Sequence, residues 1–173
     1  MKAHLKYTIA ALLCGCFTFS TQPQSEPLKP QTNTSASQEV KNIEGFFEAY
    51  MAKYNHYISQ NEFKSQPYLY HDSIMVMSAS VKPYVIDAEA FYVQTQRFLD
   101  NLEKQGVRRI DWDDVNIKIL DKNLAMSSNT AVRYDENNAV FNRVGVTFML
   151  RKQESEWRIT SFTVHDEGGV IKL

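Results

Sequence analysis

Cysteine is scarce in this sequence. The chain of 173 residues contains two cysteines, Cys14 and Cys16, and both lie close to the N-terminus. The rest of the chain therefore has no disulfide of its own, and its stability has to come from a hydrophobic core. A content of 43% hydrophobic and 12% aromatic residues is sufficient for one domain with such a core.

The sequence also lacks a surplus of charge of either sign. It has 19 lysines and arginines against 20 aspartates and glutamates, which gives a net charge of −1 at pH 7. Without excess positive charge there is no electrostatic field to draw the chain to nucleic acid or to an anionic membrane surface. We therefore predict no nucleic-acid partner.

Motifs typical of cofactor, metal and nucleophile sites are absent. The sequence has no glycine-rich phosphate loop, no His-Glu-x-x-His and no Gly-x-Ser-x-Gly. The histidines are too scattered to suggest a metal site. They are His4, His56, His71 and His165. We predict no metal ion and no cofactor.

The N-terminal apolar run is too short to span a bilayer. Residues 7–13 follow the basic Lys2 and Lys6 and precede small or thiol residues, which is the pattern of a secretory signal peptide. We predict that residues 1–20 are this signal peptide and that the chain is exported. Residues 21–37 are rich in Gln, Ser, Thr and Pro, too polar to fold, so we interpret them as a disordered tether. The folded domain is then 38–173.

The segment Leu13-Cys14-Gly15-Cys16 resembles the bacterial lipobox, although Cys14 departs from the usual small residue. Cleavage before Cys16 would leave a lipidated N-terminus, the only membrane attachment that we predict. Because Phe17 is not acidic, the expected location is the outer membrane, facing the periplasm. The alternative is ordinary cleavage near Ser20, which leaves a soluble periplasmic or secreted protein.

Apolar residues at intervals of three and four predict two helices that pack on a sheet. The first spans about 38–59, and its apolar face is Ile43, Phe46, Phe47, Tyr50, Tyr54, Tyr57 and Ile58. The second spans about 87–105, with Asp87 as N-cap and Gly106 after its end. Its inward face is Phe91, Thr95, Phe98, Leu99 and Leu102.

Alternating apolar residues predict an antiparallel meander in the last third of the chain. In residues 139–152 the side chains of Val144, Val146, Phe148 and Leu150 point one way. Residues 124–134 alternate more weakly, and 156–164 form the last strand. Short polar links between these strands fit hairpins. Residues 74–77, 83–86 and 107–121 complete a curved, mixed and mostly antiparallel sheet, so the fold class is α+β.

This order of elements resembles the nuclear transport factor 2-like superfamily, which includes SnoaL-like and ketosteroid-isomerase-like proteins, and in particular an uncharacterised exported bacterial branch. The local features that carry the resemblance are Phe46-Phe47-Glu48-Ala49-Tyr50, Tyr54-Asn55, residues 68–77 and Glu156-Trp157-Arg158-Ile159. The resemblance implies a cone whose helices lie on the concave face of the sheet and enclose a pocket. It also implies dimerisation across the outer face.

Candidate pocket residues follow from this placement. The ligand-binding candidates are Tyr50, Tyr54, Met75, Tyr84, Phe91, Trp112 and His165. Aromatic side chains with a few polar tips are typical of sites for small apolar molecules, but the same residues can be ordinary core. Arg133 and Arg143, on two neighbouring strands, can meet an anionic ligand or pair with surface carboxylates.

Two classes of function remain open. The first is a module that binds a small apolar or amphipathic molecule, or a protein partner. The second is a cofactor-independent hydrolase, dehydratase or isomerase that uses His165 as a base or Tyr54 as a donor. His165 can equally be a polar residue at a strand end. The ketosteroid isomerase mechanism lacks its base, because residues 73–78 contain no carboxylate.

Overall fold

The computed structural model describes residues 33–173, and side chains from residue 36 onward. The predicted signal peptide, Cys16 and most of the predicted tether lie outside the described residues. The elements are helix α1 (Asn33–Gln60), strands β1 (Tyr70–Ser78) and β2 (Tyr84–Asp87), helix α2 (Ala88–Lys104), strands β3 (Arg109–Asp121), β4 (Leu124–Tyr134), β5 (Val140–Gln153) and β6 (Glu156–His165), and a 3-10 turn (Glu167–Gly169).

The six strands form one sheet in the order β2-β1-β6-β5-β4-β3. Only β1 and β6 pair in parallel, and every other neighbouring pair is antiparallel. Both helices pack on one side of this curved, unclosed sheet. The predicted α+β cone with a mixed, mostly antiparallel sheet is thereby confirmed, and the link between β1 and β6 makes the sheet mixed.

The first helix begins earlier than its polar N-terminal residues suggest. It starts at Asn33, so residues 33–37 of the predicted tether are helical. Glu39 accepts hydrogen bonds from Lys152 Nζ at 2.7 Å and from Trp157 Nε1 at 2.9 Å. These bonds attach the start of the helix to the sheet through side-chain chemistry that hydrophobic periodicity does not report.

The second helix is bounded as its sequence predicts. The Asp87 side chain accepts a hydrogen bond from the backbone N–H of Ala90 at 2.8 Å, and Gly106 takes a φ of +99°, which favours glycine. Phe91, Thr95, Leu99 and Leu102 are buried as expected. Phe98 differs, because 43% of its surface is exposed at the edge of the apolar stripe.

Apolar and polar residues alternate only weakly along strand β4, because both faces of this strand are covered. Ser127 and Asn129 face the helices, while Ser128 and Val132 face the other way, and all four are fully buried. The chain after β6 runs over the outer face, where the backbone N–H of Ile171 donates to Ser128 Oγ at 2.9 Å. Burial on both faces removes the polar positions that make a strand pattern regular.

Candidate ligand-binding cavity

A cavity of about 270 Å³ lies between the two helices and the concave face of the sheet. Its wall is mostly aromatic and aliphatic. The wall residues are Tyr50, Met51, Tyr54, Val76, Tyr84, Phe91, Gln94, Thr95, Phe98, Ile110, Trp112, Ala131, Arg133, Val144, Val146, Phe148, Phe162 and Val164. A concave apolar site with few polar groups is the usual form of a small-molecule site.

Strand alternation and helix periodicity bring these side chains together. Val144, Val146 and Phe148 extend from β5 toward the helices, and Phe162 stands beside Phe148 on β6. The rings of Phe148 and Trp112 meet edge to face, with centroids 5.9 Å apart. Trp112 is fixed because its Nε1 donates to the backbone oxygen of Phe47 at 3.1 Å. The aromatic wall is therefore preorganised.

A cluster of tyrosine hydroxyls closes one side of the cavity. The rings of Tyr50 and Tyr54 stack with centroids 4.3 Å apart, and the Tyr54 hydroxyl is hydrogen-bonded to that of Tyr70. Burial raises the pKa of Tyr54 and Tyr70 well above the usual value of 10.0, and raises that of Tyr50 as well. These phenols are neutral at physiological pH, so they can donate hydrogen bonds but do not act as bases.

Arg133 is the one cation in the described wall, and it lies where the cavity opens. Gln94 and Phe98, which are exposed, and Arg133, which is half-buried, form this mouth. The Arg133 guanidinium carbon is 5.2 Å from the centroid of the Phe98 ring, and Nη1 donates to Asn142 Oδ1 at 3.3 Å. Burial lowers the pKa of Arg133, but a guanidinium stays charged at neutral pH.

The structure brings five of the predicted pocket residues together and leaves two out. Tyr50, Tyr54, Tyr84, Phe91 and Trp112 all line the cavity, and the Tyr84 hydroxyl donates to Gln94 Oε1 at 3.0 Å at its edge.

Met75 and His165 lie outside the cavity wall, because they point to the other face of the sheet. Val76 and Val164 line the cavity, and neighbouring residues of a strand point to opposite faces. The sequence shows that Met75 and His165 adjoin these residues, but it does not show which of two neighbours points to the concave side.

The surroundings of His165 are structural. Its Nδ1 donates to the backbone oxygen of Asp166 at 2.8 Å, which leaves Nε2 to accept from the Thr147 hydroxyl at 2.9 Å. The ring also lies against Gly145, where an added Cβ would come within 2.4 Å of it. His165 thus holds the chain after β6 against the outer face of the sheet.

Sequence reasoning missed most of the strand residues of the wall. Val76, Phe162 and Val164 carry no polar group that marks a site, and Gln94 and Thr95 resemble ordinary residues of a helix. The usable signal was the alternation in β5, which predicted that Val144, Val146 and Phe148 share a face. Combined with a pocket on the concave side, that alternation identifies these three residues as part of the wall.

An α+β cone with an apolar cavity under its helices defines the structural class of this protein. A sequence model described as "NTF2-like protein (DUF6841)" matches residues 38–167. The chain belongs to this family, as the resemblance to the nuclear transport factor 2-like superfamily implied. A comparison with curated proteins finds no match.

Solved structures share the architecture at low sequence identity. An NTF2-like protein with a cystatin-like fold from Novosphingobium aromaticivorans is 11% identical, with 83% of this chain and 94% of that chain covered and a TM-score of 0.59. A protein of unknown function from Mycobacterium tuberculosis is 14% identical, with 78% and 75% covered and a TM-score of 0.55. An NTF2-like protein of unknown function from Shewanella oneidensis is 17% identical, with 75% and 98% covered and a TM-score of 0.51. At these identities the likeness shows the fold alone.

Proposed function

We propose that this domain binds a small, largely apolar molecule in the cavity between its helices and its sheet. The observation that carries the proposal is the cavity itself, about 270 Å³ of space within an aromatic wall. A ligand that displaces water from apolar surface gains free energy in proportion to the area covered, and the fixed aromatic rings need little reordering on binding.

The enzyme alternative has less support from the cavity wall. General acid–base catalysis requires a group that accepts a proton near the operating pH. The described part of the wall contains no carboxylate and no imidazole, and Tyr50 and Tyr54 have raised pKa values. The single O–H of Tyr54 is bonded to Tyr70, and the described wall offers no partner to remove a proton from a substrate. Binding therefore explains the arrangement better than turnover does.

A matched pair of substitutions tests the proposal. Ala131 lines the cavity, so Ala131→Phe fills part of it, whereas Ala52→Phe places the same ring on the exposed surface of α1. Octanol and indole serve as neutral probes in calorimetry, and thermal unfolding is followed with each. We expect saturable binding and a raised Tm for the unaltered domain and for Ala52→Phe. We expect Ala131→Phe to weaken binding at least about tenfold, a loss of about 1.4 kcal/mol.

Two results would contradict this function. The first is that neither probe binds the unaltered domain. The second is that Ala131→Phe binds as tightly as Ala52→Phe does, which would place any binding elsewhere. Circular dichroism and Tm of both variants without ligand confirm that each is folded before affinities are compared.

The location remains a proposal from the sequence. We propose a protein of the cell envelope, anchored to the outer membrane through Cys16 and facing the periplasm, or else soluble in the periplasm or secreted. Within residues 33–173, no helix combines the length and apolar character needed to cross a bilayer.

A homodimer through the outer face of the sheet also stays a prediction. The chain after β6 occupies part of that face, since Ile171 bonds to Ser128 and Lys172 pairs with Asp114. A second copy would therefore have to contact this segment or the uncovered strands beside it. Sedimentation analysis of the domain with and without residues 170–173 would show which arrangement applies.

A further inference from the structure

Two arginines on neighbouring strands have different surroundings. Arg143 pairs across the sheet with Val132, so it lies on the outer face, where its guanidinium forms an ion pair with Asp113. Arg133 pairs with Asn142 and Ile110, and it lies on the concave face in the wall of the cavity. Arg143 on the surface is therefore neutralised by Asp113, whereas Arg133 lies in the mostly aromatic and aliphatic wall of the cavity.

The positive charge of Arg133 is uncompensated within the part of the chain that the structure describes. No carboxylate among residues 36–173 forms an ion pair with it. A guanidinium has five N–H donors, and a single one of them is hydrogen-bonded to a described residue, Asn142. A half-buried cation in apolar surroundings is costly unless an anion or several acceptors reach it. An incoming anion would therefore be stabilised at this position.

We propose that the ligand of the cavity is a small amphiphile with one carboxylate, bound so that the carboxylate pairs with Arg133 and the apolar part lies among the aromatic rings. This inference rests on the proposed binding function and adds the chemical class of the ligand. The orientation of the ligand in the cavity follows from the relative exposure of the wall residues. Arg133 belongs to the half-exposed mouth, whereas Phe148, farther in, is 1% exposed.

The charge balance favours a carboxylate over a phosphate monoester. A carboxylate carries one negative charge and two oxygens that match the planar guanidinium fork. A phosphate monoester carries about −1.5 to −2 charges at pH 7 and three strong acceptor oxygens. The described wall supplies one cation, so a phosphate would leave about half of its charge without a partner in low-dielectric surroundings.

The remaining polar groups of the wall can contribute hydrogen bonds without adding charge. Gln94 is an exposed residue of the wall, and its Oε1 already accepts a hydrogen bond from the Tyr84 hydroxyl. That bond leaves the amide N–H groups of Gln94 as donors for a second carboxylate oxygen. On the side formed by α1, Tyr50 accepts a hydrogen bond from the Tyr70 hydroxyl and keeps its own O–H as a neutral donor, whereas the single O–H of Tyr54 is bonded to Tyr70.

Three probes of equal chain length test this assignment. Octanoate, octanol and octyl phosphate are titrated by calorimetry at low and at high salt. For the unaltered domain, we expect octanoate to bind at least about tenfold tighter than octanol, because its carboxylate can form charge-assisted hydrogen bonds with Arg133. The difference in affinity between octanoate and octanol should become smaller as the salt concentration is raised, because the mouth of the cavity is partly exposed to solvent. Octyl phosphate should bind more weakly than octanoate.

Two arginine variants complete the design. Arg133→Met keeps an unbranched side chain of similar length but removes the charge, and Arg143→Met does the same on the outer face. We expect Arg133→Met to bind octanoate and octanol with affinities that differ by less than about threefold, because the charge that distinguishes the two probes is gone. Arg143→Met should keep the preference for octanoate.

The possible outcomes separate this inference from the proposed function. Equal affinities for octanoate and octanol in the unaltered domain, with Ala131→Phe still blocking both, would overturn the carboxylate but keep the cavity as a binding site. Retention of the preference in Arg133→Met would overturn the role of Arg133. Tighter binding of octyl phosphate would overturn the carboxylate class. No binding of any probe would overturn both proposals. The comparison of ligands in the unaltered domain needs no variant, so it stands if Arg133→Met fails to fold.

Discussion

At the scale of single residues, Asn55 connects the first helix to the edge of the sheet. Its side-chain Nδ2 donates to the backbone oxygen of Ile110 at 2.7 Å, and its Oδ1 accepts from the Ile110 N–H at 2.8 Å. Ile110 lies in β3, an edge strand of the sheet, and no other strand among residues 33–173 pairs with its free edge. The amide of Asn55 thus provides both hydrogen bonds that a neighbouring strand would otherwise provide.

Replacing Asn55 with alanine should destabilise the domain. The change leaves the N–H and the C=O of Ile110 without partners at a half-buried position, which costs about 1–3 kcal/mol. Urea unfolding measures the difference. Asn101→Ala is the matched control, because Asn101 is exposed on α2 and the change there should be neutral or slightly stabilising. Equal effects of the two substitutions would mean that the bonds to Ile110 carry no stability.

His165 is the second residue whose role the structure redefines. Because its ring packs on Gly145 and bonds to Thr147 on the outer face, we expect His165→Ala to lower the free energy of unfolding by about 1–2 kcal/mol. Ligand affinity in the cavity should stay unchanged, because Phe162 and Val164 face the cavity from this strand. Thermal unfolding and calorimetry on the same sample separate the two effects. Weaker ligand binding with unchanged stability would restore the functional interpretation.

The sequence predicts the chemistry of the cavity better than the side from which each residue faces it. Tyr50 and Tyr54 could be predicted because the apolar stripe of α1 and the resemblance both place these aromatics inward. The position of His165 outside the cavity could not be predicted, because a shift of one residue along a strand moves a side chain to the other face of the sheet. Arg133 and Arg143 show the same limit. Only the register across β4 and β5 decides which of them meets the cavity.

At the scale of elements, the start of α1 depends on a contact more than 100 positions away in sequence. Glu39 and Lys152 form an ion pair at 2.7 Å, and each side chain is about one-fifth exposed. Lys152, followed by Trp157, holds the pKa of Glu39 below its usual 4.5, although burial opposes the shift. The helices and strands themselves were predictable from periodicity and caps. The attachment of Glu39 to the sheet was not predictable, because the pairing of polar residues that are distant in sequence leaves no local pattern.

The Glu39 contact should make stability depend on acid pH. Because the pKa of Glu39 is lowered in the folded state, its contribution is fully present above the unfolded value of 4.5 and is lost as pH falls through the folded pKa. Glu39→Gln should cost about 1 kcal/mol at neutral pH, after allowance for partial exposure. The variant should also lose less stability than the unaltered domain between neutral pH and pH values below 4.5.

Urea unfolding at several pH values checks this prediction. Glu44→Gln is the matched control, because Glu44 lies on the exposed face of the same helix and forms no ion pair among the described residues. Its pH dependence should match that of the unaltered domain. Parallel acid unfolding curves for Glu39→Gln and the unaltered domain would show that the contact to Lys152 does not link protonation to folding.

At the scale of the whole molecule, we propose separate tasks for the domain and the N-terminal segment. The family match covers residues 38–167, and the cavity is formed by residues within that range. A binding domain joined to a leader with export features is suited to capturing a small molecule in the envelope. The proposed anchor therefore sets the compartment in which the cavity meets its ligand, without changing the chemistry of the cavity.

The anchor is tested on the mature protein isolated from a bacterial envelope. We expect mass spectrometry to show an N-terminal Cys16 carrying acyl chains, because Leu13, Gly15 and Cys16 match the lipobox. Cys16→Ala should remove the lipid and release the protein from outer-membrane fractions. Cys14→Ala is the matched control, since it places a small residue where the motif usually has one and should leave lipidation intact. A mature protein that begins near Thr21 with no added mass would exclude the anchor, and the cavity would then act in a soluble periplasmic or secreted protein.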